Sequence, residues 1–366
     1  MKSGEYMLFP YGNNIKLYIE GGSHDEKIEM LLKGFPEGLR IDEDFLYSFM
    51  KRRAPGQNDW STKRKEEDKP VFLSGITQGI TNGEDIKAVI YNKNQHSSDY
   101  SSVSVIPRPS HADYPAIIKY GKNVDLRGGG HFSGRLTSLI CVAGALSIQY
   151  LKSKGIEVFA HIYSISDIYD TPFCPVGQCN EEQAVLADSD FPVLDKNAGE
   201  RMKERIIHTA SENDSVGGII ECKISGLPAG LGEHMFAGAE GRISSAVFSV
   251  PAVKGIEFGN GFGCARLRGS VNNDAYYYDG NIIKTKTNNQ GGISGGMTNG
   301  MPVIFRVAVK PTPSIGLLQQ SVDLTEKKNV TLSIKGRHDP CIVPRAVPVI
   351  EAAAALAMLD MMLDKE

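Results

Sequence analysis

The stretch LTSLICVAGALSIQYL, residues 136–151, decides how this chain must fold. It carries no charged side chain, but its length falls short of the roughly 20 residues that a helix needs to cross a bilayer. Gly155 follows as a helix stop, so the pattern predicts a buried helix over 133–153. A helix that is apolar all round must be covered on every side, which predicts a large core around it.

A second apolar stretch, AVPVIEAAAALAMLDMML (346–363), lies near the end of the chain. Pro348, Glu351 and Asp360 interrupt its apolar run, so it also predicts a buried helix and not a membrane span. No membrane partner is therefore expected. The remaining predicted helices cover 197–211 and 238–249.

The strand signal is clearest in VIFRVAVK (303–310), where alternation places four apolar side chains on one face: Val303, Phe305, Val307 and Val309. IKLYIE (15–20) and EVFAHIYSIS (157–166) are weaker examples. Because no strand–helix repeat runs along the chain, a doubly wound parallel sheet is not indicated, and the mixture is α/β or α+β. The segment 170–196 could be an insertion, but similar motifs flank it, which predicts a single domain over 1–366.

Composition excludes several classes of protein. The 366 residues are 41% hydrophobic and carry a net charge of −3 with no basic tail, so a nucleic-acid partner is not expected. The N-terminal apolar run is too short for a secretory signal, which predicts a cytoplasmic protein whose six cysteines are free thiols. Cys174 and Cys179 have no second pair or histidine at zinc-ligand spacing, so no metal site is predicted there.

Glycine-rich loops and histidine–aspartate pairs carry the chemistry. RGGGHFSGR (127–135) runs into a helix between two arginines and suits either an anion or a tight turn with a helix cap. GGSHDE, RPSHAD and GRHDP each place a histidine near an aspartate, which suits either a metal site or acid–base groups beside an anionic substrate. Guanidinium groups in the same segments favour the anion: Arg53, Arg108, Arg135, Arg337 and Arg345.

Ten segments of the chain, in this order, resemble those of the chorismate synthase family: GGSHDE, KRRAPGQN, STKRKEED, RPSHAD, KYG with RGGGHFSGR, GGIIECKISGLPAGLGE, PAVKGIEFGNGF, GGISGGMTNG, VKPTPSI and GRHDPCIVPRAVPVIEA. The resemblance covers about residues 12–362, and GRHDPC with RAVP is its most specific part. It implies a phosphate lyase that converts 5-enolpyruvylshikimate-3-phosphate to chorismate by 1,4-anti elimination, the last common step of the shikimate pathway. The reaction requires reduced FMN yet has no net redox change.

The resemblance also implies roles for individual residues. His24 would be the acid near the departing phosphate, His111 would face the flavin, and Asp339 would manage the proton taken from the substrate ring. The active-site serines would be Ser23 and Ser133. The anion-binding arginines would be Arg53, Arg135 and Arg337. The flavin-binding set would be His131, Phe132, Ser133, Ala252, Gly295, Lys310, Pro311, Thr312, Pro313, Ser314 and Arg337.

The chain departs from the family pattern at several positions. Asp25 replaces a glycine beside His24, and RPSHAD has a serine in place of a glycine. His131 and Phe132 stand where an arginine and a serine are common, and Asp59 replaces a second arginine of the early basic motif. These changes predict weaker ligand binding without loss of activity.

The fold implied by the resemblance is α+β: one β-α-β sandwich domain, with helices between antiparallel sheets, assembled as a homotetramer. NADPH or an external flavin reductase would supply the reducing equivalents. Two alternatives remain open from the residues: a metal-dependent phosphohydrolase using the His and Asp pairs, and a non-catalytic flavin-binding relative.

Overall fold

A computed structural model describes residues 10–56, 68–92, 106–121, 124–177, 180–186, 189–334 and 339–365. Its helices are α1 (Glu43–Arg53), α2 (Asp113–Tyr120), α3 (Thr137–Ser153), α4 (Asn180–Leu186), α5 (Lys196–Ser211), α6 (Ala239–Phe248), α7 (Gly269–Asn272) and α8 (Val343–Met362). The predicted helices are confirmed with small changes in their ends. A short 3₁₀ turn (Gly134–Leu136) precedes α3, and Gly155 has a φ of +77°, as expected of a helix stop.

The strands are β1 (Lys16–Glu20), β2 (Lys27–Lys33), β3 (Val71–Ser74), β4 (Ile76–Thr77), β5 (Ile80–Thr81), β6 (Ile86–Tyr91), β7 (Glu157–Ile165), β8 (Ile168–Tyr169), β9 (Gly218–Ser225), β10 (Val253–Phe258), β11 (Tyr276–Asp279), β12 (Ile282–Thr285), β13 (Ile293–Ser294), β14 (Met297–Thr298), β15 (Val303–Val309), β16 (Gln319–Asp323) and β17 (Lys328–Leu332). Two sheets dominate. One has the order β1-β2-β6-β3 and the other β10-β15-β9-β7-β8, and all the pairings within them are antiparallel.

The helices α3 and α8 pack against each other between the two sheets. The helix α3 contacts β2, and α8 contacts β7 and β9 on the other side. This arrangement confirms the α+β sandwich with helices between antiparallel sheets. Gly144 of α3 lies directly on Ala352 of α8: a Cβ atom added to Gly144 would stand 2.2 Å from the Cβ of Ala352. The two helices therefore meet backbone to backbone at this crossing.

One hydrophobic cluster joins both sheets with α1, α3, α5, α6 and α8, and it runs from Ile15 to Met361. A shared core favours the single domain over 1–366, which stays a prediction. A smaller cluster covers the outer face of the five-stranded sheet with Phe159, Phe173, Leu186 and Ile304. The segment 170–196 thus supplies a second cover to this sheet. This cover explains why Ile304 is buried on the outer face of β15. The four alternate side chains predicted on β15 are buried on its other face.

By length and composition, Gly134–Ser153 is the one described helical segment that could cross a membrane, with a mean hydropathy of 1.2. Within the protein, 78% of the most apolar 18-residue stretch of this segment is buried. Its partners are α1, α8 and the strand β2. The prediction of a core helix is confirmed.

Candidate active site

A cavity of about 610 Å³ opens where α3 and α8 begin, beside the glycine-rich loop and the segment that follows β15. It collects most of the predicted site residues: Ser23, Arg53, His111, His131, Phe132, Ser133, Arg135, Ala252, Lys310, Thr312, Pro313, Ser314 and Asp339. His24 and Pro311 do not line it but adjoin residues that do. Gly295 lies in the turn between β13 and β14 and does not line it, while Arg337, His338, Asp59 and Cys179 lie outside the described residues.

The glycine-rich loop shapes one wall of the cavity. Gly128, Gly129 and Gly130 have φ values of 57°, 95° and 53°, in the left-handed region that favours glycine. A Cβ atom on Gly128 would lie 2.3 Å from Cε1 of His24 and 2.8 Å from Oγ of Ser23. Glycine is therefore required for these two side chains to approach the loop.

The loop ends in the cap that the sequence allowed as one alternative. Ser133 precedes the 3₁₀ turn, and its Oγ accepts a hydrogen bond of 3.2 Å from the backbone N–H of Arg135. His131 contacts the carbonyl oxygen of Gly21 through Nδ1 at 3.0 Å. The ring of Phe132 packs at 6.2 Å from that of Tyr120. The turn and cap are thus present, and the anion that the loop would suit stays a prediction.

Arg53 and Arg135 share one buried carboxylate, that of Asp68. The three side chains are at most 8% exposed. Arg53 also donates to the carbonyl oxygen of Gly134 at 2.8 Å, and Arg135 donates to Oδ1 of Asn92 at 2.9 Å. Among the described residues, two guanidinium groups thus share one carboxylate here. Asp68 ends the motif STKRKEED, but its role was not predicted, because nothing local connects it to either arginine.

At the start of α8, Asp339 and Arg345 form an ion pair that lines the cavity. The Nε–H of Arg345 donates to the carbonyl oxygen of Arg53 at 3.0 Å. This bond ties the end of α1 to the start of α8. Arg345 was noted as a recurring arginine but received no role, and its pairing with Asp339 is visible only in the structure.

Arg108 and Asp113 form a buried pair behind His111. The Nε and Nη2 groups of Arg108 each donate to the carboxylate at 2.7 Å. Burial alone would raise the pKa of Asp113, but hydrogen bonds from Arg108 and His111 outweigh it and hold that pKa well below its usual range. Ser110 has a φ of 57°, which explains the glycine that the family usually has there.

The segment after β15 forms another part of the lining. The Nζ of Lys310 donates to the carbonyl oxygen of Ser110 at 2.5 Å, and burial, with the nearby cation of Lys254, lowers the pKa of Lys310. Among the described residues, Oγ1 of Thr312 is a buried hydroxyl without a hydrogen-bond partner. Ala252 has a φ of 75°, an uncommon backbone conformation for a residue with a side chain, and its carbonyl accepts from the N–H of Lys310 at 3.0 Å.

The charge of the lining suits an anionic ligand. Within the described part of the lining, five cationic side chains stand against one carboxylate, that of Asp339; the cations are Arg53, Arg108, Arg135, Lys310 and Arg345. Two further carboxylates, Asp68 and Asp113, stand behind them. Within the part of the chain that the structure describes, no three His, Cys, Asp or Glu side chains are grouped to hold a metal ion. The wall can therefore bind phosphate or carboxylate groups through charge-assisted hydrogen bonds.

Comparison with known proteins identifies the family of this chain. The family model described as chorismate synthase matches residues 15–363. A chorismate synthase of Lancefieldella parvula is 44% identical, covering 97% of this chain and 96% of that protein. The chorismate synthase of Methanobrevibacter smithii is 42% identical over 94% of this chain and 93% of its own length.

A solved structure agrees with the sequence relatives. A crystal structure of chorismate synthase superposes with a TM-score of 0.77 at 27% identity, covering 97% of this chain and 93% of its own. Sequence and fold thus agree over nearly the whole chain, and the matched range 15–363 includes the residues that line the cavity. The chain belongs to the chorismate synthase family.

Proposed function

We propose that this chain eliminates phosphate and a ring proton from 5-enolpyruvylshikimate-3-phosphate to give chorismate. The observation that carries the proposal is the cavity itself, whose described lining combines five cationic side chains with His111, Ser133 and Asp339. A substrate with two carboxylates and a phosphate needs such a surplus of positive charge. The elimination also needs one group that assists the departing phosphate and another that accepts the ring proton.

The arginines bind and orient the substrate. Asp68 holds the guanidinium groups of Arg53 and Arg135 together at one place in the cavity, which pre-organises two cations for an anionic ligand. A hydrogen bond to a charged group contributes about 1.5–3 kcal/mol, which makes each arginine a strong contributor to binding. Arg345 would serve the same ligand from the start of α8, and Arg337 stays a prediction for this role.

His24, with Ser23, would assist the departing phosphate from behind Gly128, where Ser23 lines the cavity. Asp339, near the start of α8, would accept the ring proton at a carboxylate oxygen while Arg345 holds that carboxylate in place. His111 would exchange a proton with the bound cofactor at its ring nitrogen.

The residues present fit a flavin mononucleotide. The buried hydroxyl of Thr312 lacks a partner among the described residues, and Lys310 and the backbone of Ala252 stand beside it. The holding set would be His131, Phe132, Ser133, Ala252 and Lys310–Ser314. Reduced FMN would lend electron density to the elimination and recover it afterwards. Gly295 lies away from this cavity in its own chain, so its contact with the flavin remains a prediction.

The test is phosphate release from the enolpyruvyl substrate without oxygen. We expect release with reduced FMN, none with oxidised FMN and no net flavin oxidation. A metal-dependent phosphohydrolase would instead release phosphate without flavin, stop with a chelator and leave a dephosphorylated shikimate derivative. A non-catalytic relative would bind FMN and release nothing. Either of these two results would overturn the proposal.

We also propose that the chain assembles as a homotetramer in the cytoplasm. NADPH or an external flavin reductase would reduce its flavin. Large exposed apolar side chains between residues 235 and 283 support the assembly, among them Phe236 at 101%, Phe262 at 85% and Tyr278 at 75% exposure. Sedimentation analysis tests the assembly, and flavin reduction by NADPH with the purified chain alone tests the source of electrons.

A further inference from the structure

Asp113 is the first residue of α2 and has no solvent exposure. Its carboxylate accepts three hydrogen bonds from Arg108: the backbone N–H at 2.9 Å, and Nε and Nη2 at 2.7 Å each. The fourth contact is Nδ1 of His111, at 2.8 Å from Oδ1. A carboxylate held this firmly stays ionised, so it can only accept hydrogen bonds at each of these contacts.

The contact with His111 determines where the ring proton sits. Arg108 Nη2 carries two N–H groups: one donates to Oδ1 of Asp113 at 2.7 Å, and the other can reach Nδ1 at 3.2 Å. The contact of Nδ1 with Oδ1 is the shorter one, at 2.8 Å. A lone pair on Nδ1 would repel an ionised oxygen at this distance, so the geometry favours the proton on Nδ1. A neutral imidazole carries one ring proton, so Nε2 is left with its lone pair.

The other ring nitrogen faces the glycine-rich wall. A Cβ atom added to Gly129 would lie 3.6 Å from Nε2 of His111 and 3.5 Å from the Cβ of Ser133. Both His111 and Ser133 line the cavity. The ion pair of Arg108 and Asp113 is neutral overall, so it orients the ring without adding net charge to it.

We propose that Asp113 is the positioning residue of His111: it holds the imidazole in the tautomer protonated at Nδ1, so that Nε2 is the nitrogen that exchanges a proton in the cavity, and Arg108 fixes the carboxylate for this task. The catalytic importance of this tautomer rests on the proposed function. The tautomer itself is independent of that function, because the ligand-free protein already has it.

Asp113→Asn is expected to move the ring proton of His111 to the other nitrogen. An amide has one acceptor oxygen, and Arg108 offers two N–H groups at the Oδ2 position. The amide oxygen therefore takes that position, and its NH₂ group faces Nδ1 of His111, where it can only donate. The ring proton then moves to Nε2. In a serine protease, the equivalent aspartate-to-asparagine change lowers kcat by about 10⁴ because it produces the wrong tautomer.

The primary experiment is ¹⁵N NMR of the ligand-free full chain at a pH where the ring is neutral, with the signal assigned by its loss in His111→Gln. We expect a protonated Nδ1 in the wild type and a protonated Nε2 in Asp113→Asn. A wild-type ring protonated at Nε2 overturns the proposal, and this result needs no variant of Asp113. An Asn variant that keeps the proton on Nδ1 overturns it as well.

Kinetics then separate positioning from a purely structural role. Asp113→Asn is expected to lower kcat by roughly 10²–10⁴ with KM little changed. The control is Asp167→Asn, which breaks a solvent-exposed aspartate–arginine pair with Arg205 that contacts no histidine. It should leave both constants near those of the wild type. Equal effects of the two variants overturn the proposal, whereas a chain inactive in all forms with the expected tautomers contradicts only the proposed function.

Discussion

The crossing of α3 and α8 gives a prediction in which two physical effects oppose each other. Replacing a helical glycine with alanine normally stabilises a helix by about 0.8–1.0 kcal/mol. In Gly144→Ala, however, the new Cβ would stand 2.2 Å from Cβ, 2.4 Å from Cα and 3.0 Å from the carbonyl carbon of Ala352. Two of these atoms are backbone, so relief requires the helices to separate by more than about 1 Å from their packed distance.

The size of the effect follows from these two terms. Overpacking a well-filled core costs about 1–3 kcal/mol, and the upper part of that range applies because a whole helix must move. After the gain in helix propensity is subtracted, we expect the free energy of unfolding to fall by about 1–2 kcal/mol. The start of each helix carries cavity residues, Arg135 before α3 and Arg345 in α8, so substrate binding should also weaken.

The matched control is Gly241→Ala in α6. At Gly241 the nearest atom to an added Cβ is the carbonyl oxygen of Phe236, at 4.0 Å, so only the propensity term acts. This variant should gain up to about 1 kcal/mol. Urea unfolding of both variants measures the shift in midpoint, with an unchanged slope as the sign of an unaltered unfolded state. A Gly144→Ala protein as stable as Gly241→Ala would refute the backbone contact between the helices.

Three further outcomes follow from individual residues. Ser110→Gly should raise the free energy of unfolding by up to about 1 kcal/mol. The left-handed backbone of Ser110 costs about 1–2 kcal/mol, which exceeds the extra chain entropy of glycine, about 0.5–1 kcal/mol. Thermal or urea unfolding checks this gain, and a loss of stability would contradict it. Thr312→Val removes a buried hydroxyl that lacks a partner among the described residues, so the ligand-free protein should be at least as stable as the wild type. FMN binding should weaken by roughly two- to tenfold in a flavin titration. An unchanged affinity would place the flavin elsewhere. Burial would lower the pKa of His161, but hydrogen bonds to Asp170 at 2.8 Å and Glu221 at 3.1 Å raise it. Its charged form therefore stabilises the protein fully below about pH 6.5, and this contribution is lost as the pH rises through the raised folded pKa. Unfolding measured against pH should show that decline in the wild type and a flatter curve in His161→Gln.

Much of the site was predictable because the residues that form it lie in short motifs. His111 and Asp113 are two residues apart, and the local loop alone brings them together at the start of α2. In the same way, the family resemblance named nearly half of the described residues that line the cavity. Asp68 is different: it lies 15 residues from Arg53 and 67 from Arg135, and only the packing of three separate segments makes it their common partner.

Local sequence alone predicts the buried helix around 136–151, the strand at 303–309 and the residue types that the site would use. These depend on local periodicity and residue type, which need no knowledge of distant partners. The tertiary structure alone decided that Ile304 is buried on the outer face of its sheet, that Gly144 must be glycine and that Gly295 stands apart from the cavity of its own chain. Periodicity encodes which face of an element is apolar, but the covering partner is chosen by long-range pairing of strands and helices, and that pairing is a property of the whole fold.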